Sequence, residues 1–116
     1  MLVSIITPSY NSESFLLETY ASIASQTYEN WEWLITDDCS TDNSWSVLKE
    51  LANKDSRIKP LQNKVNSGAA VSRNNSIARA KGEYLAFLDS DDIWLPEKLK
   101  LHLDFMQTRQ ADISFT

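Results

Sequence analysis

Short apolar runs alternate along the chain with segments whose apolar positions recur every three to four residues, so strands are expected to alternate with amphipathic helices. Leu2 to Thr7 is rich in β-branched residues and predicts a strand that Pro8 stops. Asn11 and Ser12 follow as helix-capping candidates, ahead of a helical stripe of Leu16, Tyr20 and Ile23. Trp31 to Thr36 predicts a second strand ending in Asp37-Asp38. The polar stretch Cys39 to Ser44 then leads into a helix with Val47, Leu48, Leu51 and Ala52 on one face. Arg57 to Gln62 reads as a weaker third strand, in which Pro60 points to an edge position. Gly68 opens a helix of small residues through Ala70, Ile77 and Ala78, which Gly82 is expected to end in a left-handed cap. Tyr84 to Leu88 predicts a fourth strand. Pro96 suits the first turn of a helix with Leu99, Leu103 and Met106 as its core stripe, and Asp112 to Thr116 begins a fifth strand.

Strand-helix units joined by right-handed crossovers build an α/β fold: a three-layer α/β/α, Rossmann-like arrangement around a mostly parallel sheet. Ligands in such sheets bind beyond the carboxyl ends of the strands. Three polar clusters, Thr7 to Ser12, Asp37 to Ser44 and Asp89 to Asp92, all follow predicted strands and should meet at one edge.

Length and composition narrow the classes. A chain of 116 residues is one domain, and 42% hydrophobic residues suffice for a core. The formal charge of -5, from 16 acidic and 11 scattered basic residues, disfavours binding to nucleic-acid phosphates. Cys39 is the single cysteine, which excludes an internal disulfide and a thiolate metal cage and fits a reducing compartment. The longest apolar runs fall far short of the roughly 20 residues of a membrane span, and the start lacks the basic residues of a signal peptide.

The acidic run Asp89-Ser90-Asp91-Asp92 places three mutually repelling carboxylates at a strand end. A hard divalent cation such as Mg²⁺ or Mn²⁺ would relieve the repulsion; the plainer alternative is loop solvation and capping before Pro96. Asp37-Asp38 has the same placement after the second strand. An ionised carboxylate only accepts hydrogen bonds, so it favours a base that offers an N–H, such as uracil, over one with a bare nitrogen; alternatively one Asp, Asp37 more than Asp38, serves local backbone N–H groups. Tyr10, beside the rigid Pro8, offers a stacking face or covers the core edge. Asn66-Ser67-Gly68 leads the third helix, whose free N–H groups and Arg73 suggest phosphate binding; Arg73 could equally be a solvated residue or the partner of an Asp. His102 lacks a second ligand at metal spacing and reads as structural. Of the four tryptophans, only Trp94, just past the acidic run, keeps a functional option. A single histidine and no nucleophile elbow exclude a Ser-His-Asp triad.

Val3 to Asn11, Ser25-Gln26-Thr27-Tyr28, Asp37 to Asp42, Asn66-Ser67-Gly68, Arg73-Asn74 and Gly82 to Asp92 jointly resemble family 2 glycosyltransferases, in the family's order and over nearly all of the chain. The resemblance implies a GT-A fold, inverting transfer, and a nucleotide-diphosphate-sugar donor, most often a UDP-sugar. It also implies a divalent metal, Mn²⁺ or Mg²⁺, at the DXD-type motif Asp89-Ser90-Asp91. By the same carry-over Asp91 ligates the metal, Asp89 lies near the ribose or the metal's water shell, and Asp38 binds the uracil edge. Pro8 and Tyr10 line the base, and Arg73 lies near the nucleotide. The acceptor, a glycan or lipid-linked sugar in polysaccharide synthesis, and the acidic catalytic base belong to a second half that this sequence does not show. Residues 1–116 are thus expected to be a single donor-binding domain of a longer enzyme, located in the cytoplasm or, through other parts or partners, at the inner face of a membrane.

Other readings fit less of the chain. Asp89-Ser90-Asp91 also resembles the nucleophile loop of haloacid-dehalogenase-like phosphatases, but that family places the loop after its first strand. Receiver-like signalling domains gather acidic residues after the first strand too, where this chain has Pro8-Ser9-Tyr10-Asn11. A module that binds nucleotide-sugar and metal without transferring the sugar is the stronger alternative.

Overall fold

Val3–Ser9 (β1), Trp31–Asp37 (β2), Ile58–Gln62 (β3), Tyr84–Phe87 (β4) and Ile113–Ser114 (β5) form one sheet in the order β3-β2-β1-β4-β5, with every pairing parallel. The helices are Leu16–Ala24 (α1), Ser44–Lys54 (α2), Ala69–Arg79 (α3) and Lys98–Arg109 (α4). The computed structural model describes residues 1–109 and 113–114; the rest of the expected fifth strand, and the Met106 side chain, lie outside the described set.

Alternation along the central strands separates the layers. Val3 and Ile5 of β1 and Trp31, Trp33 and Ile35 of β2 share one core with Leu16 and Ile23 of α1, Leu48 and Leu51 of α2, and Leu99 and Leu103 of α4. The stripes read from the sequence for α1 and α2, and Leu99 and Leu103 of α4, therefore point where their spacing requires. Trp33 buries its indole fully and donates from Nε1 to Thr7 Oγ1 at 2.8 Å, so its ring N–H is satisfied inside the core. The other side of β2 meets α3. The buried residues of α3 are Ser72 and Ser76, whereas Ala70 and Ala78 are exposed. The expected stripe of Ala70, Ile77 and Ala78 is therefore displaced, because Ser76 Oγ bonds Thr36 Oγ1 of β2 at 2.7 Å and this polar pairing sets the rotation of the helix.

Prolines and glycines mark the other departures. Pro60 lies on β3, the edge strand, as expected. Pro8 does not stop β1, which continues to Ser9 beside β2. Ile6 O accepts the Leu88 N–H, so even positions of β1 turn their backbone polar groups toward β4, and β4 ends opposite Ile6. The N–H that Pro8 lacks would have faced a side with no ladder left to join. Gly82 is not a left-handed cap: among the described residues the positive φ angles belong to Asn11, Cys39 and Gly68. Gly82 is instead required by crowding, since a Cβ there would lie 2.6 Å from Ser4 Oγ and 2.7 Å from Ser4 N. Asn11 and Ser12 do not cap α1 either. Its N-cap is Phe15 without a side-chain bond, and both polar side chains are committed to other loops.

The strand order reverses at β1, which lies between β2 and β4. That reversal opens a crevice beyond the carboxyl ends of the strands.

Candidate functional site

A cavity of about 480 Å³ occupies the crevice, and Pro8, Tyr10, Asp38, Arg73, Asp89 and Asp91 all line it. These residues come from the end of β1, from the loops after β1, β2 and β4 and from α3, which only the sheet brings together. All six of the residues singled out from the sequence thus share one concave surface.

The loops are locked by polar side chains. Asn11, held at φ 47°, accepts on Oδ1 from the backbone N–H groups of Thr41 at 2.9 Å and Asp42 at 3.4 Å. Ser12 joins three segments: its N–H donates to Ser44 Oγ at 2.9 Å, and its hydroxyl contacts Tyr10 O at 3.1 Å and Ser90 Oγ at 2.7 Å. Thr19 of α1 donates to Ser90 O at 2.7 Å. Tyr10 stays exposed at the cavity wall, so its ring keeps a free face.

The paired aspartates after β2 divide their work. Asp37 is fully buried and accepts the Ser40 N–H at 3.0 Å, the local backbone role expected of it. Asp38 is 4% exposed and accepts on Oδ1 from Asn63 Nδ2 at 2.9 Å and Ser67 N at 2.7 Å, and on Oδ2 from Gly68 N at 2.8 Å. Burial pushes its pKa up, and the bonds from Asn63, Ser67 and Gly68 outweigh that and hold it below the usual carboxylate range. In the segment that leads α3, the N–H groups of Ser67 and Gly68 are engaged by Asp38, whose negative charge disfavours phosphate beside those two groups.

In the acidic loop, the Asp92 N–H closes a turn onto Asp89 O at 3.1 Å. One carboxylate oxygen from each of Asp89, Asp91 and Asp92 then lies within 4.8 Å of the others. Three exposed hard oxygen donors at that separation fit Mg²⁺ or Mn²⁺, which take a few carboxylates and keep open positions for water and phosphate. Asp92 belongs to the acidic run read from the sequence, and the turn places its carboxylate beside those of Asp89 and Asp91. Arg73 is half-buried in the lining of the same cavity, with no hydrogen bond or ion pair among the described residues, so its charge is available to an anion. It is not the partner of an Asp. Trp94 is buried in the core and loses the functional option it had. His102 lies half-buried on α4 outside the cavity lining, its pKa lowered by burial and then by the Lys98 charge.

The family model described as glycosyl transferase family 2 matches residues 4–116. A Bacillus subtilis protein named for teichuronic acid biosynthesis, TuaG, is 47% identical over 99% of this chain and 46% of its own length. An Escherichia coli UDP-Glc:α-D-GlcNAc-diphosphoundecaprenol β-1,3-glucosyltransferase, WfgD, is 49% identical over 90% of this chain and 41% of its own. Among solved structures, S. aureus TarS residues 1-349 in complex with UDP superimposes with a TM-score of 0.87 at 35% identity, covering 95% of this chain and 33% of that one. The chain spans less than half the length of these curated relatives.

Proposed function

The chain belongs to glycosyl transferase family 2, and on that premise we propose that it is the donor-binding part of an inverting glycosyltransferase that uses a UDP-sugar in polysaccharide synthesis. The observation that carries the reading is one shared cavity: an exposed ring and an acceptor-only carboxylate line it together with two aspartates of the acidic cluster and an arginine that is unpaired among the described residues. The likeness to a structure solved with UDP supports it.

In this reading Tyr10 stacks on the base with Pro8 beside it, and the remaining acceptor position of Asp38 takes the uracil N–H. Arg73 neutralises part of the diphosphate charge. Asp91, with Asp89 and Asp92 alongside, holds the divalent cation, and Asp89 also reaches toward the ribose. When bound, Mn²⁺ or Mg²⁺ supplies Lewis-acid stabilisation of the departing diphosphate. Inversion corresponds to one displacement by an acceptor hydroxyl of a glycan or lipid-linked sugar; no residue among 1–116 is assigned as its base. The proposal places the protein in the cytoplasm or at the inner face of a membrane, although none of the described helices is long and apolar enough to cross one.

Calorimetric titration of UDP with and without Mn²⁺ tests the reading. Tighter binding with Mn²⁺, lost in Asp91→Asn, is the expected result. Equal affinity under both conditions, or no change in the variant, refutes the metal assignment.

A further inference from the structure

We propose that Asn63 is a positioning residue for base selection: it holds the Asp38 carboxylate so that one acceptor position, on Oδ2, remains for the N–H of a uracil-type base. The inference rests on the reading of Asp38 given above and adds the residue that makes Asp38 selective.

Asn63 lies one residue beyond β3, and its backbone N–H donates to Asp37 O at 2.8 Å, which carries the ladder past the end of the strand and anchors the residue. Its side-chain amide is engaged on both sides. Nδ2 donates to Asp38 Oδ1 at 2.9 Å and to Ser72 Oγ at 3.0 Å, while Oδ1 accepts from Asn75 Nδ2 at 2.8 Å. The reverse amide orientation would set Oδ1 against the Asp38 carboxylate, so charge alone fixes which end faces it. Ser72 and Asn75 both belong to α3, so one amide ties the loop after β2 to that helix.

An ionised carboxylate offers about four acceptor positions. On Asp38, Oδ1 is filled by Asn63 and Ser67 N, and Oδ2 is half filled by Gly68 N. One position is left, and it is on Oδ2. A base that presents an N–H there gains a bond to a charged acceptor. A base that presents a lone pair, such as cytosine, meets like against like in a nearly buried setting. Without Asn63 the carboxylate has a second open position on Oδ1 and two backbone contacts about which to swing, so it can turn away from a base that repels it. Selectivity should therefore fall more than affinity for the diphosphate, which Arg73 and the acidic loop hold independently.

The test is calorimetric measurement of UDP and CDP affinity, with Mn²⁺ present, for the parent and for Asn63→Leu, Asn75→Ala, Asp38→Ala and the Asp38→Ala/Asn63→Leu double variant, after thermal melts confirm folding. The expected result is a fall of about tenfold in the UDP-over-CDP preference for Asn63→Leu, the size of one charge-assisted hydrogen bond. A smaller fall is expected for Asn75→Ala, and no further loss when Asn63→Leu is added to Asp38→Ala. A purely structural role would lower the melting temperature and both affinities alike, leaving the preference unchanged. An unchanged preference in Asn63→Leu, with a loss in Asp38→Ala, overturns the role of Asn63 alone. An unchanged preference in Asp38→Ala overturns the base-reading assignment and this inference with it. Should Asn63→Leu fail to fold, the preference of Asn75→Ala decides by the same criterion.

Discussion

Replacing Gly82 by alanine puts a methyl group where three atoms already lie: Ser4 Oγ at 2.6 Å, Ser4 N at 2.7 Å and Leu2 O at 2.8 Å. Two of these are backbone atoms at the start of β1, so a rotamer change cannot clear the space. The same atoms hold a polar network together. Ser4 Oγ accepts the Gly82 N–H at 2.8 Å and donates to Glu32 Oε2 at 2.6 Å, which also accepts the Lys81 N–H at 2.8 Å; Leu2 O accepts the Glu83 N–H at 2.9 Å. Overpacking costs about 1–3 kcal/mol, and losing one of these bonds about 1 kcal/mol more, so Gly82→Ala should lose about 3 kcal/mol. For a domain of this size that corresponds to a fall of about 10 °C in Tm. Gly68→Ala provides the contrast. Its φ is +95° but nothing lies within 4 Å of the added carbon, so only backbone strain of about 1–2 kcal/mol applies and the fall should be roughly half as large. Scanning calorimetry of the parent and the two variants measures both. Because Gly82 sits at the amino end of β1, away from the cavity, UDP affinity should survive in the folded Gly82→Ala protein. A Tm within about 2 °C of the parent would refute the crowding argument.

Further outcomes follow from the loops and the buried network. Thr19→Val removes the bond to Ser90 O and should weaken Mn²⁺-dependent UDP binding about fivefold, one neutral hydrogen bond's worth, while leaving uridine binding intact; titration of both ligands checks it. Tyr10→Ala should weaken uridine and UDP alike by about 1–3 kcal/mol, the value of one aromatic-base stack, and a loss confined to UDP would place the ring at the diphosphate. Burial would raise the Glu32 pKa, but the Ser4 hydroxyl, the Lys81 N–H and the Lys59 ammonium outweigh it and hold the carboxyl low. The unfolded chain therefore takes up this proton first. The contribution is complete above about pH 4–5 and is lost as pH falls through the lower folded value, so Glu32→Gln should flatten the acid limb of Tm against pH.

The elements and the cavity residues were legible in the chain because their causes are local. The apolar Trp31, Trp33, Leu34 and Ile35 mark β2 as an interior strand, and the helical stripes of Leu16 and Ile23 or Leu99 and Leu103 repeat within two turns. Strand-end loops in a parallel sheet converge, so Tyr10, Asp38 and Asp91 could be placed on one edge before any distance was known. The tertiary structure decided which polar groups meet. Ser12 and Ser90, or Gly82 and Ser4, are 78 residues apart, and the sheet register alone brings them together. The same cause diverted Asn11 from capping α1, turned Ser72 and Ser76 inward on α3 and brought Asp38 to the Ser67 and Gly68 N–H groups ahead of that helix. Periodicity reports the face a residue presents, but a hydrogen bond needs a partner at about 3 Å, and that separation exists only after the strands have paired.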